Sequence, residues 1–254
     1  MKPVCLVVGA GAGIGGTVGK RFAKEGYHAV LCRRSDQDGL NTLVADIEAR
    51  GGTASGYLMN AVQPDVIEER IAAIEADIGP IEVVVFNLGA QIGNRALADT
   101  TYKAFEIGWR MATFALFRVA ATLCPLMEER GKGTILVTSA TAALRGNDGQ
   151  HSHAAAMGGR RMLCQSLNAE FGPKGIHIAH ILIDGAVDAP DTLGQMLGPE
   201  KFQELRESRG MENDGLMLPE KIADTYYHIA QQHRSTWTHE IDMRSFSDVP
   251  WWNN

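Results

Sequence analysis

The chain has 254 residues, of which 45% are hydrophobic and 21% charged, with a formal net charge of −6. That size suits one large α/β domain or two small ones, and the composition is ordinary for a globular protein. The negative balance argues against a nucleic-acid partner, and no uninterrupted apolar run reaches the roughly 18 residues of a membrane span, so neither nucleic acid nor membrane is an expected partner. In chain order, the apolar run "VCLVVGA" is followed by helix-like "GGTVGKRFAKEG", then the run "HAVLC", the helix "DGLNTLVADIEARG" and the short run "ASGYLMN". The helix "QPDVIEERIAAIEADIG" leads to the run "IEVVVFNLGA" and to a long helix through "TYKAFEIGWRMATFALFRVAATLCPLMEERG". The run "GTILVTSA", a helix-like segment "GGRRMLCQSLNAEFGPKG" and the run "IHIAHILID" follow.

These runs are continuously apolar rather than alternating, as expected of strands covered on both faces of a parallel sheet. Strand–helix alternation makes that sheet doubly wound, so the expected fold is a Rossmann-type α/β sheet in one domain spanning residues 1–254. Residues 190–218 break the rhythm and read as a helical, lid-like insertion over the edge of the sheet where ligands bind. Glycines interrupt the opening "MKPVCLVVGAGAGIGG" where the apolar stretch of an export signal is unbroken, so it reads as part of the fold rather than as a leader. Cys5, Cys32, Cys124 and Cys164 are scattered with no C-x-x-C pair, which suits buried free thiols in a reducing cytoplasm and no metal site.

The string "VVGAGAGIGG" lies between the first strand and the first helix. Glycines there permit a tight turn, a close approach of backbone to pyrophosphate, and close helix–strand packing, so Gly9, Gly13, Ile14 and Gly15 are candidate dinucleotide ligands. A nucleotide-binding fold of this kind places an acidic residue at the end of its second strand for the ribose 2′-hydroxyl of NAD, or an arginine for the 2′-phosphate of NADP. In "HAVLCRRSD" that place holds Arg33, with Arg34 after it. Two guanidiniums suit a phosphate dianion, so NADP(H) is expected in preference to NAD(H), with Asp36 as the residue that would favour NAD.

The spacing G-x-x-x-G-x-G resembles that of the short-chain dehydrogenase/reductase family, and the resemblance covers most of the chain. "IEVVVFNLGA" is similar to the family's strand ending in N-N-A-G, which implies roles near the cofactor for Asn87 and Gly89. Asn60 and Ala61 stand where family members carry Asp-Val beside the adenine. "SLNAEFGPKGIHIAHILIDGAVDAP" is similar to S-L-A-x-E-x-G-P-x-G-I-R-V followed by P-G-x-V-x-T, with Asp184 in the proline place, Gly185 and Val187 matching, and Ala189 for the threonine. The resemblance implies hydride transfer between nicotinamide and a small-molecule substrate, in a homodimer or homotetramer. Wide apolar stripes on "TFALFRVAATLCPLM" and "RMLCQSLNAEF", together with Trp251 and Trp252, fit subunit or groove contacts.

Family enzymes move the proton with a tyrosine whose pKa is lowered by a lysine four residues later. A serine about thirteen residues earlier binds the substrate oxygen, and an asparagine in the preceding helix holds a relay water. In the register of "SLNAEFGP" the tyrosine, lysine and serine places fall on His153, Met157 and Ala140, and the asparagine place falls near Gly108. No Y-x-x-x-K occurs in the chain. Imidazole exchanges protons near neutral pH without the cation that tyrosine needs, so His153 is the candidate proton donor, and a lysine beside it would oppose its charging. Ser139 and Thr141 flank Ala140 but alternate to the other side of a strand. His151 lies two residues before His153, with no acidic or cysteine partner spaced to complete a metal site. Three readings stay open: an NADP(H)-dependent reductase of a carbonyl, imine or alkene with a non-standard site, a catalytically lapsed NADP(H)-binding sensor or partner protein, and a non-redox enzyme on the same scaffold.

Overall fold

A computed structural model describes residues 2–89, 94–209 and 214–253. Strands β1 (Val4–Val8), β2 (His28–Arg33), β3 (Thr53–Leu58), β4 (Ile81–Phe86), β5 (Gly133–Ala140), β6 (Ile176–Asp184) and β7 (Glu240–Arg244) form one sheet in the order β3-β2-β1-β4-β5-β6-β7. Every pairing is parallel. Helices α1 (Ile14–Lys24), α2 (Gln37–Ala49) and α9 (Pro219–Ala230) cover one face, with Val18, Phe22, Leu40, Ile47, Ile222 and Tyr226 packing on Cys5 and Val7 of β1. Helices α3 (Val66–Asp77), α5 (Ala115–Arg130) and α6 (His151–Phe171) cover the other, where Ile71, Leu116, Val119 and Cys164 meet Val4, Leu6 and Val8. Alternate residues of β1 thus enter two different cores, and for that reason the strand is apolar throughout.

The order reverses at β1, whose neighbours are β2 and β4, so the crevice of the doubly wound sheet opens beyond the carboxyl ends of β1 and β4. The register pairs Val8 with both Cys32 and Phe86, and Phe86 with Val137. The residues next in chain after these four, Gly9, Arg33, Asn87 and Thr138, therefore stand side by side at one edge.

Two features depart from the sequence expectation. The long helix is helical throughout Tyr102–Arg130, but it comprises α4 (Tyr102–Trp109), a π turn over Arg110–Phe114, and α5. By length and composition this stretch would also suit a membrane span, yet it packs its buried face against α3, α6 and β4 as a core helix. The ending "EIDMR", not read as a strand, is β7. Its residues are all half-buried, and mixed polarity hides such an edge strand from periodicity.

Residues 190–209 hold a π turn over Pro190–Gly194, α7 (Gln195–Leu197) and α8 (Pro199–Arg209), and residues 210–213 of the expected insertion lie outside the described residues. Arg206 pairs with Asp188 at 2.9 Å and Arg209 with Asp248 at 2.5 Å, which ties α8 to the loop after β6 and to the tail. The tail folds back on its own chain. The Trp251 carbonyl accepts from Arg145 at 2.6 Å, its indole donates to Asp242 at 3.2 Å, and Arg244 lies 4.1 Å over the Trp252 ring. All four cysteines are free and buried, and burial pushes Cys32, Cys124 and Cys164 each up to about 12.

Candidate active site

The glycine turn is shaped by contacts that leave no space for side chains. Gly9 has φ +100°, and a Cβ there would lie 2.7 Å from the Asn87 carbonyl oxygen. One on Gly15 would lie 2.2 Å from the Gly9 oxygen. The Asn87 side chain donates to that same Gly9 oxygen at 2.9 Å, locking the ends of β1 and β4 together. Gly13 caps α1 without a side chain; of the first-turn amides that of Gly16 is taken by the Gly11 carbonyl at 2.7 Å, and no side chain caps the others, as suits an anion-binding helix start. Gly13 also lies under the loop after β6, where an added Cβ would sit 3.2 Å from both Ala189 Cβ and Thr192 Oγ1. A cleft of about 430 Å³ runs between these parts, lined by Ile14, Asn87, Gly185, Ala186, Val187, Thr192, Leu193, Met196 and Leu205. Five are sequence candidates or their motif neighbours. Thr192 was not among them, although its hydroxyl lies three residues beyond Ala189, which lacks one. Gly89 is exposed, with open space where a Cβ would go.

At the end of β2, Arg33 and Arg34 differ. Arg34 is exposed, whereas Arg33 pairs with Asp36 Oδ2 at 2.9 Å. Asp36 is held left-handed at φ +71°, and its Oδ1 accepts from the Gly39 amide at 2.9 Å, capping α2. Asp36 thus caps α2 with one carboxylate oxygen and pairs with Arg33 through the other. After β3, the Asn60 Oδ1 accepts from the Val62 amide at 3.4 Å, while the Ala61 carbonyl accepts from Arg118 at 3.0 Å. Arg118 also bonds the Gln63 carbonyl and pairs with Glu68 at 2.5 Å, bracing this loop from behind. That charged partner holds the Glu68 carboxyl below its usual range.

The third part is one face of α6. His153, Met157 and Arg160 recur at the spacing of a single helical stripe. His153 is half-buried in the first turn, beside Ser152, whose hydroxyl donates to the Phe105 carbonyl at 3.2 Å. Met157 is buried among Ala112, Ala142 and Ala156, and the buried Ser139 donates its hydroxyl to the Met157 sulfur at 3.8 Å. Ala140 is half-buried at the end of β5, and Gly108 is buried in α4, ahead of the π turn. The irregular turn is centred instead on Ala112, whose carbonyl is taken by Arg160 Nε at 3.0 Å. The other arms of Arg160 reach the Thr138 carbonyl at 2.6 Å and the Leu88 carbonyl at 2.7 Å. Burial pulls this guanidinium down to about 10. Thr138 is bonded in turn through its hydroxyl by the buried Tyr226 at 2.8 Å. Sequence reasoning missed Arg160, because in "GGRRM" it looks like one of two surface arginines. Arg161, its neighbour, does reach outward, to Glu240.

Residues 3–192 match the short chain dehydrogenase family model. The chain is 30% identical over 239 residues to the short-chain reductase protein NovJ of Streptomyces niveus, covering 91% of this chain and 87% of that one. It is 26% identical over 238 residues to the 3-oxoacyl-[acyl-carrier-protein] reductase FabG of Thermotoga maritima, covering 94% of each. Among solved structures, a short-chain dehydrogenase from Rhodopseudomonas palustris superposes with TM-score 0.79 at 33% identity, over 95% of this chain and 98% of that one. With the parallel sheet, the reversal of strand order at β1 and the glycine turn beside Asn87, these matches place the chain in the short-chain dehydrogenase/reductase family, a family of oxidoreductases.

Proposed function

We propose that the protein is an NADP(H)-dependent oxidoreductase acting on a small carbonyl, imine or activated alkene through a non-standard site. The observation that carries this reading is the cleft joining the uncapped start of α1, Asn87 and the loop through Val187. The cradle of Gly9, Gly13 and Gly15, where side chains would clash, fits a dinucleotide backbone. In this reading Gly9, Gly13, Ile14 and Gly15 hold the pyrophosphate, Asn60 and Ala61 border the adenine, and Asn87, Gly89 and Val187 border the nicotinamide end. Arg33 and Arg34 receive the 2′-phosphate, and residues 190–218 act as the lid. When bound, the cofactor supplies or accepts the hydride. His153 gives up the balancing proton from its imidazolium form, and the apolar wall of Met157 with Ala112 and Ala142 keeps water from the reacting centre. Free buried thiols suit the cytoplasm.

Titration of NADPH and NADH by nicotinamide fluorescence tests the reading. NADPH binds more tightly, and Arg33→Asp removes the preference; equal affinities that the substitution leaves unchanged refute it. A second reading has its own support. Met157, which falls on the family's lysine place in the register above, lies inside an apolar cluster, as in a binding protein whose chemistry has lapsed. NADPH binding with no turnover on any carbonyl, imine or alkene decides for it.

A further inference from the structure

The buried Arg160 has no place in the chemistry above, and its surroundings are unlike those of the other arginines. It is 1% exposed, yet among the described residues no carboxylate pairs with it. A buried guanidinium is costly unless its charge and its N–H groups are met. Here three carbonyl dipoles meet it, and they belong to three segments 22, 48 and 72 residues away in the chain. One of these segments meets the cleft directly, through Asn87, and the other two lie behind it on the α6 side. Leu88 follows Asn87 just beyond β4, Thr138 lies near the end of β5, and Ala112 lies within the π turn. The planar fork of arginine fixes the directions of these bonds in a way that a single ammonium cannot. The Leu88 bond has a mechanical consequence, because Leu88 directly follows Asn87, whose side chain donates to the Gly9 carbonyl oxygen at 2.9 Å. A shift of Leu88 is therefore felt at the glycine turn.

We propose that Arg160 is the positioning residue of the nicotinamide end of the cleft, gathering the Leu88, Thr138 and Ala112 carbonyls onto one guanidinium and so fixing the end of β4 against the α6 face that carries His153. The inference rests on the dinucleotide reading. It makes the β4 lip rigid where the nicotinamide is received and leaves the adenosine corner at Arg33 independent of it. A core filler of similar volume, such as methionine, would leave three carbonyls without a donor and the lip free to move.

The test compares two ligands on wild type, Arg160→Met and Arg160→Lys. NADPH spans the whole cleft, whereas adenosine 2′,5′-bisphosphate reaches only the adenosine corner. Calorimetry is expected to show NADPH affinity falling about tenfold or more in Arg160→Met, with bisphosphate affinity within about twofold of wild type. Enhancement of nicotinamide emission on binding falls in parallel, and Arg160→Lys recovers part of both losses. If Arg160→Met does not fold, Arg160→Lys carries the same comparison, with a smaller but still selective loss of NADPH. Equal weakening of both ligands, or no weakening of either, overturns the proposal and leaves Arg160 as a structural residue. Wild-type protein that binds neither ligand overturns the dinucleotide reading, and this inference with it.

Discussion

In the proposed reading His153 does the work of the family's tyrosine, and this moves the loss of the proton donor to lower pH, since imidazole ordinarily titrates at about 6.5 and tyrosine at about 10. Tyrosine needs a neighbouring cation to lower its pKa, and Met157 offers none. An imidazole donates only when protonated, so reductive turnover falls as rising pH removes that proton. His153→Phe is expected to lower the rate about 10²–10⁴-fold, the usual share of general acid–base catalysis, with NADPH affinity nearly unchanged. Steady-state kinetics beside a binding titration checks this, and a confirmed activity that survives the substitution makes the histidine a wall of the pocket. The glycine turn was legible in this way, because its spacing marks where backbone must pass backbone at Gly9 and Gly15. Asp36 was not, because its left-handed cap on α2 and its pairing with Arg33 depend on backbone geometry that the string "RRSDQDG" does not disclose.

Between elements, the fixed points are polar groups deep in the sheet. His180 on β6 is fully buried, and its Nδ1 lies 3.0 Å from Glu240 of β7, which also pairs with Arg161 of α6. Burial holds His180 down at about 4, against an ordinary value of 6.5, and outweighs the opposing pull of Glu240. The unfolded chain therefore takes up a proton that the folded chain refuses as pH falls from 6.5 to about 4. Stability is intact above that window and is lost through it, by on the order of 3 kcal/mol at its acid end. Thermal midpoints measured across the window should fall in wild type and fall less in His180→Leu; equal slopes would refute the assignment. The order of elements from β1 to β6 was legible because two-sided burial writes itself as unbroken apolar runs. The π turn, β7 and the Arg160 clamp were not, since each is defined by partners far along the chain and none leaves a local period.

At the scale of the whole molecule, the helix through α4 and α5 leaves an aromatic stripe uncovered. Trp109 stacks on Phe114 at 5.5 Å and Phe114 on Phe117 at 6.3 Å, and all three are substantially exposed. Such a stripe on a core helix fits a contact between copies of the chain. We expect a homodimer or homotetramer by light scattering at micromolar concentration and a smaller species for Phe117→Glu, whereas a wild-type monomer would count against the contact. The folded-back tail has a practical consequence for anyone handling the protein. Trp251 is bonded to Arg145, which precedes α6, and to Asp184 at the end of β6, so the last turn of chain is mortared into the rim of the cleft. A purification tag or fluorescent fusion hung on that end would tug at the doorway of the site, while one placed ahead of β1 would hang from the opposite edge of the sheet. The choice of which end to label is thus already a choice about whether the cleft is disturbed.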